Sequence, residues 1–253
     1  MAISQIEFRF LAKAYQLGCF RRGGGILEFG EANTNRINAN KIDVPIAIET
    51  VMQQGDERDA MVARARILQE GDELADRYEE ARLIYKALFA YDSYNAIDLL
   101  PPSEDRIQQN LNEPFNLGRQ FDICINNGTT EHLFNQANVY KAIHDHTRKD
   151  GIMIHWTPCI GWVNHGLFHV QPGLFYDLAK ANGYALLLGC LATFKNLFDL
   201  NPAGVNEESF EAHPDLHNAL ACVVLRKESD AAFRYPLQGK YSNLRQYVSV
   251  RFP

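Results

Sequence analysis

Short apolar runs alternate along this chain with longer stretches in which apolar residues recur every three or four positions. The runs are Ile26–Gly30, Ala87–Tyr91, Ile107–Leu111, Phe121–Ile125, Ile152–Trp156, Tyr184–Leu188 and Ala219–Leu225. Their length and their β-branched and aromatic content predict seven strands. The 3.6-residue period predicts helices between them. Residues 1–20 place Ile6, Phe8, Phe10, Leu11, Ala14, Tyr15 and Leu17 on a helix with one face toward the core. Glu131–His146 and Leu174–Asn182 read as further helices, the second closed by Asn182-Gly183. From 36 to about 86 the chain is mostly helical in character, with a short helix at Pro45–Gln54 and a long run of helix formers at Ala63–Lys86. Glu31–Asn35, rich in cap-forming residues, reads as the lead into a helix N-terminus. Strands alternating with helices predict an α/β fold. The expected form is a doubly wound, mostly parallel sheet of seven strands in one domain, 1–253, with a helical insert at about 36–86 after the first strand.

Composition narrows the function. A chain of 253 residues that is 46% hydrophobic can bury a full α/β core. The net charge of −6 and pI near 5.8 argue against a general nucleic-acid binder, which needs clustered Lys and Arg. The apolar run Tyr184–Phe194 is too short to span a bilayer, so no membrane partner is expected. The opening MAISQIEFRF lacks a basic segment followed by an apolar core, so no signal peptide is expected. Five scattered cysteines without a CxxC read as buried free thiols in a reducing cytoplasm. Oligomeric state is left open, a homodimer included.

Candidate chemistry gathers after the runs. Asn126-Asn127-Gly128-Thr129-Thr130 breaks the Phe121–Ile125 strand with turn formers, and ligands bind at the carboxyl ends of strands in an open α/β sheet. Glu131 and His132 follow at once. Gly161–Pro172 is a polar-aromatic loop with Trp162, Asn164, His165, His169 and Gln171. A neutral His165 there can take a proton from an attacking hydroxyl or amine. His165 and His169 at i, i+4, with His144-Asp145-His146, do not supply the converging set a metal needs, and no HExxH is present. No metal is expected. Gly23-Gly24-Gly25 precedes its strand, whereas a dinucleotide fingerprint needs glycines after it.

Taken in order, Ile26–Gly30, Asn110-Leu111-Asn112-Glu113-Pro114-Phe115, Phe121-Asp122-Ile123-Cys124-Ile125, Glu131-His132-Leu133 and Asp150-Gly151-Ile152-Met153-Ile154 resemble the class I S-adenosylmethionine-dependent methyltransferases, over roughly 26–225. Asn164–Gly166 with Gln171-Pro172 is similar to a branch of that family without an assigned substrate. The resemblance implies a Rossmann-like methyltransferase sheet and S-adenosylmethionine as cofactor. It implies cofactor contacts from Glu28, Gly30, Glu31, Ala32, Asp92, Asn110, Leu111, Asn127 and Gly128. Asp92 takes the ribose, with Asp98 as the substitute, and the Gly30 turn takes the carboxylate at a helix N-terminus. His165 is the expected general base, and Glu131 and His132 place or polarise groups. The 36–86 insert and the 161–172 loop are expected to cover a small-molecule acceptor, methylated on oxygen or nitrogen. The first-strand motif reads Gly30-Glu31-Ala32-Asn33 where the family has a Gly-x-Gly series. A non-catalytic binding or partner protein of the same fold is therefore the alternative.

Overall fold

The computed structural model describes residues 2–36, 40–71, 73–200, 216 and 218–241. Ser4 opens the first helix, α1 (Gln5–Gln16), with a capping box: its hydroxyl accepts the Ile6 N–H at 3.1 Å, and Glu7 accepts the Ser4 N–H at 2.8 Å. Ahead of it, β1 (Ala2–Ile3) pairs in parallel with β3 (Asn33–Thr34). The main sheet is built from β2 (Gly25–Phe29), β4 (Ser93–Asp98), β5 (Arg106–Gln108), β6 (Phe121–Asn127), β7 (Thr147–Ile160), β8 (Tyr184–Ala192), β9 (Leu197–Asp199) and β10 (Ala219–Lys227). Its order is β5-β4-β2-β6-β7-β10-β8-β9. Pairs from β5 to β7 are parallel, and β10 runs antiparallel to both β7 and β8. This is the expected doubly wound, mostly parallel Rossmann-like sheet. An eighth strand, β9, folds back on β8. The sequence also leads one to expect a loop near 196–217 between the last two strands, and most of it lies outside the described residues.

Alternation along the strands sends side chains into two cores. Ile26, Ile123, Ile125, Ile152, Ile154, Trp156, Cys222 and Val224 pack under α1 and the helices α2 (Val44–Val51) and α4 (Leu74–Phe89). Leu27, Phe29, Cys124, Met153, Val223 and Leu225 pack under α5 (Gln136–His146) and α6 (Gly173–Asn182). Helix α3 (Asp56–Glu70) lies between α2 and α4 in the chain and packs on both. All five cysteines are buried free thiols. No helix among the described residues is long and apolar enough to cross a membrane.

Three local expectations are corrected. Ala87–Tyr91 is not a strand: Ala87, Leu88 and Phe89 are the last buried turn of α4, which stops at Ala90 in the left-handed conformation (φ 47°). The strand starts at Ser93, so Asp92 lies at its amino end. Glu31–Asn35 does not enter a helix, because Asn33 and Thr34 pair with β1 and the next helix starts at Val44. Glu131–His146 is not one helix. A single 3-10 turn (Thr130–His132) precedes α5, which Asn135 caps through the Asn138 N–H at 3.3 Å.

Candidate functional site

The chain leaves β2 toward β4 on one side, and from β5 it returns to β6 on the other. The carboxyl ends of β2 and β6 are thus the topological switch point where ligands bind in such sheets. On the β2 side the turn is satisfied by the protein itself. Gly30, at φ +84°, donates its N–H to Ile97 O at 2.7 Å. Glu31 donates to Asp98 Oδ2 at 3.0 Å, and Ala32 to Glu28 Oε2 at 3.1 Å. Glu28 is fully buried and also accepts the hydroxyls of Tyr85 and Tyr94. Burial pushes its carboxyl up to about 7, against the pull of those hydrogen bonds. Glu31 is buried between Arg82 (2.9 Å) and Arg106 (2.5 Å). The side chain of Thr129 lies against Gly30, 2.1 Å from where a Cβ would stand.

The sequence expectation for this turn needs correction. No helix follows Gly30, and the amides of residues 30–32 have acceptors within the protein. Asp92 is also misplaced by the sequence reading. It accepts the Gly24 N–H at 2.8 Å and lines a cleft of about 740 Å³ at the amino edge of the sheet. The acid at the carboxyl end of β4 is Asp98, which also accepts the Leu100 N–H at 3.1 Å. After β5, Leu111 is buried while Asn110 is exposed and accepts the Asn112 N–H at 3.0 Å.

The β6 side is organised by Asn126. Its buried amide accepts the N–H groups of Thr129 and Thr130, both at 3.3 Å, and donates to Thr130 Oγ1 at 3.2 Å. That clamp curls 129–132 into a tight turn and sets Glu131 beneath the 161–172 loop. Leu167 and Phe168 donate their N–H groups to the Glu131 carbonyl, at 2.7 and 3.1 Å. Gly166 is needed for this approach, since a Cβ there would meet Glu131 O at 2.9 Å and Cγ at 3.0 Å.

The Glu131 carboxylate is fully buried, and neither oxygen has a hydrogen-bond partner. Burial pushes its pKa up to about 8. His165 Nε2 stands 3.8 Å from Oε1, and the His132 and His165 rings are 5.2 Å apart. Burial lowers both histidines, so both are neutral at pH 7. The ligand atoms of Glu131, His132 and His165 lie within 4.8 Å of one another.

Glu131 and His165 line a cavity of about 310 Å³, together with Asn127 and Gly128 from the end of β6. Trp156, Trp162 and Phe194 form aromatic walls, and Glu7 and Asn40 close the other side. Asn127 Oδ1 accepts the Trp156 indole N–H, whereas Asn127 Nδ2 and Trp162 Nε1 have no partner. Of the residues that the sequence suggested, the structure gathers Glu131, His165, Asn127 and Gly128 here, with His132 beside His165 but outside the lining. Gly30, Glu31, Ala32, Asp98 and the Asn110–Leu111 turn are not among the cavity's lining. Glu7 and Phe194 were missed, since α1 and the turn after β8 reach the cavity through tertiary packing alone.

Among the other described histidines, His155 meets Asn126 Nδ2 at 3.3 Å and three are held elsewhere. His144 bonds Tyr184 OH and Ala231 O, His146 bonds Ala142 O and Leu117 N, and His169 bonds Trp162 O at 3.2 Å.

No family model and no curated protein matches the chain. Several solved structures are similar to it. One is the N-methyltransferase NodS from Bradyrhizobium japonicum WM9 in complex with S-adenosyl-L-homocysteine, at 9% identity, 88% of each chain and TM-score 0.45. Another is a putative sarcosine dimethylglycine methyltransferase from Galdieria sulphuraria, at 11% identity, 88% of this chain, 85% of that one and TM-score 0.45. A third is a putative methyltransferase from Bacillus halodurans C-125, at 10% identity, 87% of this chain, 99% of that one and TM-score 0.42. Likenesses this distant carry neither an activity nor a ligand over to this chain, whose chemistry must be read from its own site.

Proposed function

We propose that this chain is a class I S-adenosylmethionine-dependent methyltransferase acting on an oxygen or nitrogen of a small molecule. One observation carries the reading: a buried, unpartnered Glu131 carboxyl group beside a neutral His165, facing a cavity of about 310 Å³ at the switch point of the sheet. The residues present suit the cofactor. Asp98, at the end of β4, keeps lone pairs for ribose hydroxyls, and buried Leu111 offers an apolar surface to adenine. Asn127 Nδ2, without a partner, is a donor for a carboxylate. When bound, S-adenosylmethionine supplies an electrophilic methyl group that a lone pair displaces from sulfur.

The protein's part is alignment and proton removal. The cavity walls hold the acceptor. His165, neutral at pH 7, takes the proton that the acceptor loses as its lone pair bonds to carbon. Glu131, 3.8 Å away with a pKa of about 8, stabilises the resulting imidazolium in its ionised form, which rising pH favours. His132, beside His165, fixes the ring's placement.

A non-catalytic binding protein is the second reading, favoured by the Gly30 turn, whose amides are already taken and whose outer face Thr129 covers. Calorimetry with S-adenosylmethionine separates the two. The enzyme reading expects saturable heat, and a well-folded sample that gives none at millimolar cofactor would sink it. His165→Ala should then cut turnover by roughly 10²- to 10⁴-fold and leave cofactor affinity unchanged. Equal loss of both removes His165 from the base role.

A further inference from the structure

The cavity beside Glu131 has a one-sided chemistry. Its described lining contains two carboxylates, Glu7 and Glu131, and neither Lys nor Arg. Glu7 is satisfied by Ser4, whereas both oxygens of Glu131 are left without a hydrogen bond. A buried carboxylate without a partner is costly, and an N⁺–H donor is the group that relieves it best. The walls suit a cation as well. Trp162 and Phe194 stand 6.3 Å apart at 46°, with His165 5.1 Å from Trp162 and Trp156 also in the lining. Tryptophan faces are the preferred partners of ammonium groups. Trp162 Nε1 is an unpartnered donor and calls for an oxygen acceptor on the same ligand. At about 310 Å³ the space lies at the small end of ligand cavities.

We infer that the cavity binds a small organic ammonium ion carrying an oxygen acceptor, with its N–H toward Glu131, its alkyl groups among Trp156, Trp162 and Phe194, and its oxygen toward the Trp162 indole N–H. An amino alcohol or a small amino acid has this form. This deepens the proposed function, since it rests on reading the cavity as the acceptor site and makes nitrogen the methylated atom. For transfer, His165 takes one proton from the ammonium, and the freed lone pair forms the N–CH₃ bond as the C–S bond breaks.

The test needs no turnover. Calorimetry at pH 8.5, where Glu131 with its pKa of about 8 is mostly ionised, and without cofactor, compares 2-dimethylaminoethanol with its uncharged isostere 3-methyl-1-butanol. The expected result is at least tenfold tighter binding of the ammonium. Glu131→Gln should erase that preference, and Trp162→Leu, at a partly exposed position, should reduce it with the fold intact. Equal binding of the two probes overturns the inference whatever the variants do. So does Zn²⁺ binding that both probes fail to disturb. A third overturning result is competition between 2-dimethylaminoethanol and S-adenosylmethionine, because the cavity would then hold the cofactor's own amino-acid end. Cofactor binding without an ammonium preference removes this inference alone. An ammonium preference without cofactor binding removes the methyltransferase reading.

Discussion

Replacing Glu131 by Gln tests the site through stability alone. Its carboxyl is raised from 4.5 to about 8 by burial. A group whose pKa is raised on folding stabilises the native state below its unfolded pKa, and that contribution is lost as pH rises through the folded value. Each pH unit in the window is worth ~1.4 kcal/mol for one proton. From 4.5 to about 8 the ceiling is thus ~5 kcal/mol, and relaxation around the ion brings it to roughly 2–4 kcal/mol. His132 and His165 face the carboxylate and stay neutral above pH 6.5, both being lowered by burial. Burial also raises Tyr140 behind it, which therefore does not titrate here either, while Glu7 across the cavity is raised as well. Glu28, near 7, titrates in the same window but is common to both proteins and cancels in their difference. Urea unfolding of wild type and Glu131→Gln should therefore give similar stabilities at pH 5. A gap favouring the variant should then open with pH and level off above 8. A gap that stays flat from pH 5 to 8.5 would mean that Glu131 has a partner or meets water, and the case for an unsatisfied carboxylate would fail.

Further outcomes follow from the same geometry. Gly166→Ala places a methyl 2.9 Å from Glu131 O and should depress probe binding or turnover at least tenfold while costing only ~1–2 kcal/mol in unfolding; an unchanged site would show that the loop yields freely. Gly30→Ala combines a φ of +84° with a clash on Thr129, and should lose ~2–4 kcal/mol of stability by chemical denaturation. Adding Thr129→Ser should leave that deficit largely in place, since Oγ1 is the nearest atom. Asp98→Asn should weaken S-adenosylmethionine by roughly tenfold to a hundredfold, the worth of hydrogen bonds to a charged group, with Asp92→Asn neutral in the same calorimetric titration. The reverse pattern would return the ribose to the amino edge.

Which parts of this fold could be read from sequence depends on how far each pattern is local. Strands such as Ile152–Trp156 bury both faces, so their apolar content survives any detail of packing, and the sheet was legible from them. The same logic misled at Ala87–Tyr91. The last turn of α4 is enclosed by the sheet and by neighbouring helices, so Ala87, Leu88 and Phe89 are apolar all round and look like a strand. That one error carried Asp92 to the wrong edge of the sheet and left Asp98 only the substitute. Glu131, His132 and His165 were legible because each follows a strand end directly, and strand ends converge in this architecture. Glu7 and Phe194 were not, because nothing local to α1 or to the turn after β8 says that they meet beside Trp156.

The two halves of the switch point answer the same physical demand in opposite ways. After β2 the protein supplies its own anions: Glu28 and Asp98 accept the turn's amides, and Arg82 and Arg106 neutralise Glu31, so nothing there calls for a ligand. After β6 the protein holds a carboxylate in the dark by two loop amides on its carbonyl and a glycine against its flank, and gives it no partner. Holding Glu131 that way costs stability at neutral pH, whereas a residue with no ligand to meet could sit in solvent at no cost. The discriminating chemistry of this chain therefore lies in the Asn126–Glu131 turn and the loop above it. A cofactor that binds here must gain most of its hold from Asn127, Asp98 and Leu111, with little from the glycine turn that usually defines such sites.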